Sequence, residues 1–554
     1  MAEFGGRYNP PATSAAFITL GGSMNTIELV RIPAMTVPDK ECLVFEDRRF
    51  TYRQLLDRIL RLAAALHARG IRRGDKVAIL HTNSNEYVEA YYAVAMLGAI
   101  FVPLNYRARA DELVHLVNDS ESSTLFVGDR YVEQVRSLAS QFPNVTRYIA
   151  VESPQEGMEF FGDLLASASP DDAPEIEVDD SDCTILMYTS GTTALPKGVI
   201  LTYGGFSEYI LTTTEPASEE STGATLLAVP IYHVAGASAI MTALYGGRKL
   251  VLMRQFDPKE WLRLVERERI TNVFLVPTMM KRIIDDPDFD KYDLSSLQFI
   301  SYGAAPMPVP VILKAIAKFP KHVGFMNAFG QTETTSTVTI LGPEDHRLEG
   351  TPEEIERKIG RLHSIGRPVD DVELAILDEE GNPLPVGVVG EIAIRTPREM
   401  AGYWKQEEAT AKTKVGGWIR TRDQGYIDED GYVFLAGRKS DMIIRGGENI
   451  APEEVERILH GHPAIEEVAV IGVPDEEWGE RVKAVVVLRE GAHCTHEEII
   501  AYAKTRLASF KVPEIIEFVE TLPRNAMGKV LKNVLREQHR LYESEPSHPE
   551  NVSA

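Results

Sequence analysis

Lys76-Val77-Ala78-Ile79-Leu80 is a short, mainly apolar run, and a helical stretch over residues 86–98 follows it. Apolar runs of this length predict buried strands, and helices between successive strands are typical of parallel sheets. The same alternation recurs along the chain. Further strands are predicted at residues 124–127, 225–229 and 272–276, and further helices at residues 258–270 and 309–318. The chain is therefore predicted to be an α/β protein whose large N-terminal domain consists of layered, largely parallel sheets.

The pattern changes near residue 370, where turn-rich segments separate short apolar runs. Residues 372–377 and 391–395 flank residues 378–387, and another turn, Asp428-Glu429-Asp430-Gly431, lies within residues 418–432. Apolar runs joined by Asp/Gly turns are typical of β-hairpins. This part of the chain is predicted to form a small β-rich subdomain.

A second change follows Gly437-Arg438-Lys439-Ser440. The sequence beyond it predicts helices at residues 452–459, 497–507 and 529–538 and strands at residues 468–472, 482–488 and 515–518. These elements span about a hundred residues, the size of one small domain. We therefore predict a disordered extension at residues 1–23, a large N-terminal domain at 24–437, a hinge at 438–441, a small mobile α+β C-terminal domain at 442–540 and a tail at 541–554.

The composition excludes several classes of function. The 554 residues carry a net charge of −24, and neither nucleic acid nor an anionic membrane surface attracts so acidic a chain. The three cysteines, Cys42, Cys183 and Cys494, are too far apart for a disulfide framework or a CxxC metal site, which suits a cytoplasmic protein. The longest uncharged stretch, residues 221–247, contains Pro230 and is predicted as strand, loop and helix rather than as a membrane span.

The strongest local motif is Tyr188-Thr189-Ser190-Gly191-Thr192-Thr193-Ala194-Leu195-Pro196-Lys197-Gly198. A predicted strand leads into a loop that is rich in hydroxyl groups and glycines and ends with one lysine. Backbone N–H groups, Ser/Thr hydroxyls and an ammonium group are the donors that polyphosphate oxygens require. Lys197 is followed by glycine rather than by Ser or Thr, so the motif is not a Walker A loop. The alternative is an ordinary surface turn.

Three further segments carry candidate functional groups. Glu333, a carboxylate that could hold Mg²⁺, lies in Asn327-Ala328-Phe329-Gly330-Gln331-Thr332-Glu333-Thr334, for which a solvated loop is the alternative. For Asp423 and Arg438 the alternative is a structural salt bridge. Lys529 lies in a basic part of this acidic chain, residues 521–540, for which a solvated helix face is the alternative.

In this order and spacing, the sequence resembles the adenylate-forming superfamily of acyl-CoA synthetases, luciferases and peptide-synthetase adenylation domains. Within it, the chain is similar to fatty acyl-, 4-coumarate- and 4-chlorobenzoate-CoA ligases over residues 24–540. The resemblance rests on residues 189–198, residues 329–333, Asp423, Arg438, residues 446–450 and Lys529. It implies an AMP-forming acid–thiol ligase whose residues 24–437 form the adenylation domain.

The resemblance also implies a nucleotide site. The phosphates of ATP would be held by Thr189, Ser190, Gly191, Thr192, Thr193 and Lys197. Adenine would lie between one segment formed by Gly303, Ala304 and Ala305 and another formed by Asn327, Ala328, Phe329 and Gly330. Asp423 and Arg438 would bind the ribose, and Glu333 and Thr189 would bind Mg²⁺. The implied catalytic residues are Lys529, which would bridge the acid carboxylate and the α-phosphate, Thr332 at the α-phosphate, Glu333, His233 and Lys197.

For the thiol step, Gly446 and Gly447 resemble the segment that lines the pantetheine tunnel of the family. Trp478 matches an aromatic residue that packs against pantetheine, and a packing tryptophan is the alternative. Phe510 and Lys511 are candidates for the CoA nucleotide. The chain departs from the family pattern at several positions, which are Phe329 for Tyr, Arg422 for Gly before the ribose Asp, Ser440 for the hinge Asp or Lys, Tyr203 for His, and Glu514 for a basic residue.

The acid pocket is expected around residues 232–236, 302–304 and 326–336, which contain no Arg, Lys or Asp. A second charge on the acid would be unpaired on burial, so an apolar monocarboxylic acid is favoured, either aliphatic, alicyclic or aromatic. His233 would gate the carboxylate, and a buried structural histidine is the alternative. The predicted ligands are the acid, ATP, CoA and Mg²⁺, and a homodimer is the one assembly considered. Carrier-protein loading and luciferase-like chemistry are the enzymatic alternatives, and a non-catalytic nucleotide-binding scaffold is disfavoured.

Overall fold

The computed structural model of the chain describes residues 23–189, 195–438, 441–445, 448–475, 478–525 and 528–544. Most of the extension predicted at residues 1–23 and the end of the predicted tail, residues 545–554, lie outside these ranges. The predicted site and hinge residues that also lie outside them are Ser190, Gly191, Thr192, Thr193, Lys439, Ser440, Gly446 and Gly447.

One layer of the large domain is a nine-stranded sheet. Its strands, in spatial order, are Arg367–Pro368, Ser336–Leu341, Gly324–Gln331, Phe299–Gly303, Asn272–Leu275, Ala224–Leu227, Lys249–Leu252, Glu41–Phe45 and Arg48–Thr51. The strands from Gly324–Gln331 to Glu41–Phe45 run parallel, and antiparallel strands close both edges.

The second layer is an eight-stranded sheet. Its strands, in spatial order, are Gly402–Tyr403, Lys197–Thr202, Cys183–Thr189, Ile100–Pro103, Lys76–Leu80, Thr124–Val127, Arg147–Ala150 and Glu159–Phe160. The strands from Cys183–Thr189 to Glu159–Phe160 run parallel. Lys197–Thr202 pairs antiparallel with Cys183–Thr189, and Gly402–Tyr403 pairs antiparallel with Lys197–Thr202.

Helices cover the sheets and separate them. Those of the large domain are Glu28–Thr36, Tyr52–Ala68, Asn85–Met96, Ala110–Asp119, Val132–Leu138, Phe161–Ala166, Tyr203–Thr213, Val234–Tyr245, Pro258–Glu268, Pro277–Ile284, Val309–Lys318, Pro343–His346, Pro352–Arg361 and Glu407–Thr413. Helix Asn85–Met96 contacts Ile100–Pro103 in one sheet and Glu41–Phe45 in the other, and all of its residues are buried. A helix buried on every face lies inside the core, so this one joins the two sheets.

The β-rich subdomain follows where the pattern changes. Its antiparallel sheet contains Glu373–Leu377, Gly390–Arg395, Trp418–Ile427, Lys414–Val415 and Val433–Arg438. The turn predicted at residues 428–431 joins two of these strands, since Asp428 Oδ1 accepts hydrogen bonds from the N–H groups of Asp430 and Tyr432.

The C-terminal part forms a separate sheet with its own apolar core. Its strands are Ile443–Arg445, Glu448–Ile450, Ile465–Asp475, Gly479–Leu488 and Ile515–Phe518, and its helices are Pro452–His460, His496–Lys504 and Lys532–Ser544. The predicted start of the last helix at residue 529 is wrong. Gly528 has φ +74°, and its N–H group donates a hydrogen bond to the carbonyl of Asn525. A tight turn therefore precedes the helix.

The α/β fold with a smaller C-terminal domain is thus as predicted. In the ranges described, no helix has both the length and the apolar character needed to cross a membrane.

Candidate active site

The predicted adenine segments lie side by side at the carboxyl ends of two parallel strands. Strands Phe299–Gly303 and Gly324–Gln331 are paired so that Gly303 lies opposite Ala328. A Cβ atom on Gly303 would be 2.1 Å from the carbonyl oxygen of Ala328, so this close approach requires glycine. The carboxyl ends of parallel strands are where open α/β sheets bind ligands.

Gly330 continues this close packing into the next hairpin. A Cβ atom there would be 1.9 Å from the carbonyl oxygen of Ser336. Phe329, by contrast, packs half-buried against the apolar core of the β-rich subdomain. Ala304 follows the other strand with φ +65°, an uncommon conformation for a residue with a side chain.

Glu333 lies in the short 3₁₀ turn Thr332–Thr334 that connects strands Gly324–Gln331 and Ser336–Leu341. The hydroxyl of Tyr403 donates a 2.8 Å hydrogen bond to its Oε1. The N–H of Met400 donates to the main-chain carbonyl of Glu333 at 2.9 Å. In the part of the chain that is described, its Oε2 has no hydrogen-bond or ion-pair partner.

The two ends of the predicted phosphate loop meet across an antiparallel pair, in which Thr189 lies opposite Lys197. The ammonium group of Lys197 is 5.3 Å from the ring centroid of Tyr403. Burial lowers the pKa of Lys197, the charge of Arg422 adds to this effect, and the carboxylate of Glu333 opposes it. Tyr403 therefore connects the predicted phosphate and metal residues, although sequence reasoning did not identify it.

Asp423 is 7% exposed and lies opposite Arg438 in neighbouring antiparallel strands. The side-chain amide of Gln331 donates to Oδ2 of Asp423 at 2.8 Å and to the carbonyl of Thr421 at 3.2 Å. The predicted ribose residue is thereby linked to the hairpin that carries Glu333. Arg422, which replaces the usual glycine, has φ +64°, and this left-handed conformation explains why glycine suits the position.

His233 lies directly before helix Val234–Tyr245, and its Nε2 is buried with no partner among the described residues. Burial lowers the pKa of His233 to about 3, and the charge of Arg107 contributes further. The ring is therefore neutral near pH 7. Asn83 supports the loop before it, because its side chain accepts from the N–H of Ile231 at 3.0 Å and donates to the carbonyl of Val229 at 2.9 Å.

Lys529 follows a turn that touches the large domain. Its N–H donates to Oδ1 of Asn525 at 2.9 Å, which fixes the turn. A Cβ atom on the preceding Gly528 would be 2.5 Å from Oγ1 of Thr278, in helix Pro277–Ile284 of the large domain. The same helix carries Lys281, which forms an ion pair with Glu466 of the small domain at 2.5 Å.

The candidate CoA residues lie on the small domain. Trp478 is 45% exposed, with the guanidinium group of Arg445 5.6 Å from its ring centroid. Arg445 also forms an ion pair with Glu514, so the acidic residue at that position is neutralised locally. Lys511 forms an ion pair with Glu454 at 2.7 Å.

Comparison with known proteins identifies the family. The model of the AMP-binding enzyme family matches residues 31–404, and the model of the AMP-binding enzyme C-terminal domain matches residues 454–529. The chain belongs to the AMP-binding enzyme family. The predicted adenylate-forming enzyme of the acyl-CoA synthetase branch is thereby confirmed.

Relatives of this AMP-binding enzyme are similar to it in sequence along nearly its whole length. A feruloyl-CoA synthase of Amycolatopsis is 39% identical over 88% of this chain and 93% of its own length. The fatty acid–[acyl-carrier-protein] ligase ScoC of Streptomyces coeruleorubidus is 32% identical over 92% of this chain and 96% of its own length. Among solved structures, the anthranilate CoA ligase AuaEII in complex with anthranoyl-AMP gives a TM-score of 0.85 at 26% identity, and the match covers 96% of this chain and 99% of that one.

The donor set of this AMP-binding enzyme fits Mg²⁺. Across the described ranges, no group of three or more His, Cys, Asp and Glu side chains could hold a metal ion by itself. Mg²⁺ is usually held by one or two carboxylates together with substrate phosphates and water. One carboxylate with an unpartnered oxygen, as at Glu333, matches that requirement.

Three residues of this AMP-binding enzyme were missed by sequence reasoning, namely Tyr403, Gln331 and Asn83. Gln331 lies inside a motif that was singled out, so its amide could have been considered. Tyr403 and Asn83 had no comparable signal, because a tyrosine after glycine and an asparagine after a strand are common. Their partners are 70 and 148 residues away in the chain.

Proposed function

We propose that this AMP-binding enzyme is an ATP-dependent acyl-CoA ligase, which converts an apolar monocarboxylic acid into its acyl-CoA through an acyl-AMP. The observation that carries the proposal is the cluster of Lys197, Tyr403 and Glu333 beside the adjoining adenine segments. It combines a cation that suits phosphate groups with a carboxylate that could hold a metal ion, next to the strands predicted to bind adenine, and together these suit a nucleoside triphosphate. The names of relatives support the CoA step.

Two displacements make up the proposed reaction. An oxygen of the acid carboxylate attacks the α-phosphorus of ATP, and pyrophosphate leaves with the electron pair of the broken P–O bond. The thiol of CoA then attacks the acyl carbon, AMP leaves, and the thiol proton is released. The first step is needed because oxide is a very poor leaving group from a carboxylate, whereas AMP is a good one.

Each residue has a proposed part in these steps. Lys197 and the loop at residues 190–194 hold the β- and γ-phosphates, and Lys529 stabilises the charge that develops between the carboxylate and the α-phosphate. Thr332 binds the α-phosphate. Mg²⁺ bound at Glu333 and Thr189 supplies positive charge that offsets the charge of the phosphates. Gly446, Gly447 and Trp478 receive pantetheine, while Lys511 contacts the CoA nucleotide.

The proposed acid is apolar apart from its carboxylate. A small, partly open apolar cavity adjoins the first segment predicted for the acid. It is lined by Tyr87, Phe101, Met187, Met241 and Ile231, and Ile231 lies two residues before His233. A second charge or an amino group in such surroundings would be unpaired, at a cost of roughly several kcal/mol. A neutral His233 is compatible with an apolar body next to the reacting carboxylate.

Loading of a carrier protein is the second candidate, because ScoC is named a fatty acid–[acyl-carrier-protein] ligase. The two candidates share the first step and differ only in the thiol that accepts the acyl group. Acyl-CoA formed from CoA, and no acylated holo-acyl-carrier protein under the same conditions, supports the ligase. The reverse result supports carrier loading.

A panel of aliphatic, alicyclic and aromatic monocarboxylic acids tests the proposal, with the formation of AMP measured with and without CoA. Glu333→Gln should depress Mg²⁺-dependent ATP–pyrophosphate exchange strongly, because the metal loses an anionic ligand. Glu344→Gln is the control, since the side chain of Glu344 is 79% exposed and, in the part of the chain that is described, forms an ion pair with Arg347 alone. Exchange at the wild-type rate in Glu333→Gln would remove this residue from the metal site.

A further inference from the structure

Arg398 is a fully buried arginine just behind the turn that carries Glu333. Its Nη1 donates to the carbonyl of Thr334 at 3.2 Å, and its Nη2 donates to the carbonyl of Thr337 at 2.7 Å. The carboxylate of Asp371 accepts from its Nε at 2.5 Å and from its Nη2 at 3.1 Å. A desolvated guanidinium group is tolerated only when it is paired and hydrogen-bonded in this way.

The two carbonyl groups held by Arg398 bracket a strained piece of backbone. Between Thr334 and Thr337, the residues Thr335 and Ser336 have φ +47° and +97°. Left-handed conformations are unfavourable for residues with side chains, above all for β-branched threonine. Such strain persists only where surrounding contacts hold the backbone in place, and here the planar guanidinium fork supplies two of those contacts.

The segment that begins with Arg398 also reaches Glu333 itself. The N–H of Met400 donates to the main-chain carbonyl of Glu333 at 2.9 Å, and the hydroxyl of Tyr403 donates to its Oε1 at 2.8 Å. The bond from Tyr403 occupies Oε1, and Oε2 has no hydrogen-bond or ion-pair partner among the described residues. The segment therefore hydrogen-bonds to the backbone on both sides of the strained residues, to the main-chain carbonyl of Glu333 and to Oε1 of its carboxylate.

We propose that Arg398 and Tyr403 are positioning residues for the metal carboxylate, Arg398 by holding the strained turn at Thr334 and Thr337, and Tyr403 by orienting Glu333 directly. The proposal rests on the proposed function, because it assumes that Glu333 binds the cation of metal–ATP. Outer partners of metal ligands set the orientation and the basicity of those ligands. Lysine cannot replace Arg398, since a single ammonium group lacks the fork that reaches both carbonyls and Asp371.

Binding of Mn²⁺–ATP tests the proposal without any turnover. Titration in the absence of acid and CoA, followed by the electron paramagnetic resonance signal of Mn²⁺, should show that Arg398→Lys weakens Mn²⁺–ATP binding by about 10- to 100-fold. Binding of ATP in excess EDTA should change less than about twofold. A merely structural role would alter both affinities equally or neither, and either result would overturn the proposal.

Arg361→Lys is the matched control. Arg361 also donates to two carboxylates, at 3.1 Å to Asp345 and 2.9 Å to Asp430, and within the described ranges it makes no hydrogen bond or ion pair with the turn at Glu333. The variant Arg361→Lys should bind Mn²⁺–ATP with the affinity of the wild type. If Arg398→Lys gives no cooperative unfolding transition, Tyr403→Phe is tested instead. Tyr403→Phe should bind Mn²⁺–ATP about tenfold more weakly than the wild type. Wild-type affinity in that variant would overturn the proposal.

Relief of the strain provides a second, independent measurement. Thr335→Gly together with Ser336→Gly removes the left-handed strain of both residues, because glycine adopts positive φ without a steric penalty. In that background Arg398→Lys should weaken Mn²⁺–ATP binding much less than it does alone. An unchanged effect would overturn the role of Arg398 as a clamp on the turn. Failure of the wild type to bind Mn²⁺–ATP would instead contradict the proposed function, which keeps the two failures distinct.

Discussion

Gly303 is the residue whose lack of a side chain most directly shapes the candidate adenine site. Gly303→Ala would place a methyl group 2.1 Å from the carbonyl oxygen of Ala328, and a backbone oxygen in a paired strand cannot move aside. We expect the two strands to separate, a loss of about 1–3 kcal/mol in the free energy of unfolding, and weaker ATP binding. Urea unfolding and ATP titration measure both effects.

Gly360→Ala is the control for this prediction. Gly360 is exposed in helix Pro352–Arg361, and a Cβ atom there would meet no neighbour within 4 Å. Alanine should stabilise that helix by about 0.5–1 kcal/mol and leave ATP binding unchanged. Equal stability of Gly303→Ala and the wild type would show that the close approach of the strands is not required.

His233 predicts a pH dependence of stability with a definite sign. Its pKa is about 3 in the folded protein, because of burial, and about 6.5 when unfolded. The unfolded state therefore binds one more proton between these values, so the stabilisation is present above pH 6.5 and is lost as the pH falls toward 3. From pH 7 to pH 5 this group should remove about 2 kcal/mol from the free energy of unfolding.

Between pH 7 and pH 5, the free energy of unfolding of His233→Gln should fall by about 2 kcal/mol less than that of the wild type, as measured by urea unfolding. Burial also lowers the pKa values of other histidines, among them His81, His346 and His460, but these act equally in both proteins. The same pH slope in the variant and the wild type would mean that the pKa of His233 is not lowered by folding.

At the scale of the element, the hairpin of Gly324–Gln331 and Ser336–Leu341 connects three proposed functions. It contributes an adenine segment, the metal carboxylate and, through Gln331, the orientation of Asp423. Gln331→Ala would leave that carboxylate without its 2.8 Å amide donor. We expect ATP affinity to fall about tenfold, since a hydrogen bond to a charged group contributes about 1.5–3 kcal/mol.

The same variant should discriminate less between ATP and 2′-deoxy-ATP, because Asp423 is the proposed acceptor for the ribose hydroxyls. Asn382→Ala is the matched control, as Asn382 also donates its amide to an aspartate, Asp378, at 3.0 Å in a turn of the β-rich subdomain. Discrimination as strong as that of the wild type would mean that Gln331 does not position the ribose carboxylate.

At the scale of the whole molecule, two contacts join the domains near Lys529, the packing of Gly528 on Thr278 and the ion pair of Lys281 with Glu466. Both contacts are made with helix Pro277–Ile284 of the large domain. The proposed role of Lys529 in acyl-AMP formation gives a prediction. Lys529→Ala should abolish most acyl-AMP synthesis yet keep thioester formation from supplied acyl-AMP. Lys504→Ala, an exposed residue of the same domain, is the control. An equal loss in both half-reactions would assign Lys529 a structural role or a part in each.

The alternation of the small domain between the two steps stays a prediction, since the hinge residues Lys439 and Ser440 lie outside the described ranges. Ser440→Pro fixes φ near −65° and restricts the preceding residue. The variant should make acyl-AMP but convert little of it into acyl-CoA. Wild-type turnover in the complete reaction would refute the alternation. The homodimer and the cytoplasmic localisation likewise stay predictions.

The elements of this fold were predictable because their signals are local. Helix Val309–Lys318 and strand Ile515–Phe518 have the predicted bounds, and the alternation of strands and helices correctly indicated parallel sheets. The start of the last helix was missed because residues 529–531 turn back and pair with residues 523–525, with Val530 opposite Arg524, before the helix begins at Lys532. Local periodicity determines which segments become strands and helices, since it reflects which side chains are buried.

The contacts that assemble the candidate site were decided only by the tertiary structure. Tyr403 meets Glu333 across 70 residues, Gln331 meets Asp423 across 92, and Arg398 meets Thr334 across 64. Such pairs depend on the order and register of strands, and no local pattern in the sequence encodes either. By itself the sequence determined the elements, the family and the residues with reactive groups. The packing of two sheets and a hairpin decided which buried side chains orient those groups, because a buried donor bonds whatever acceptor the fold brings within reach.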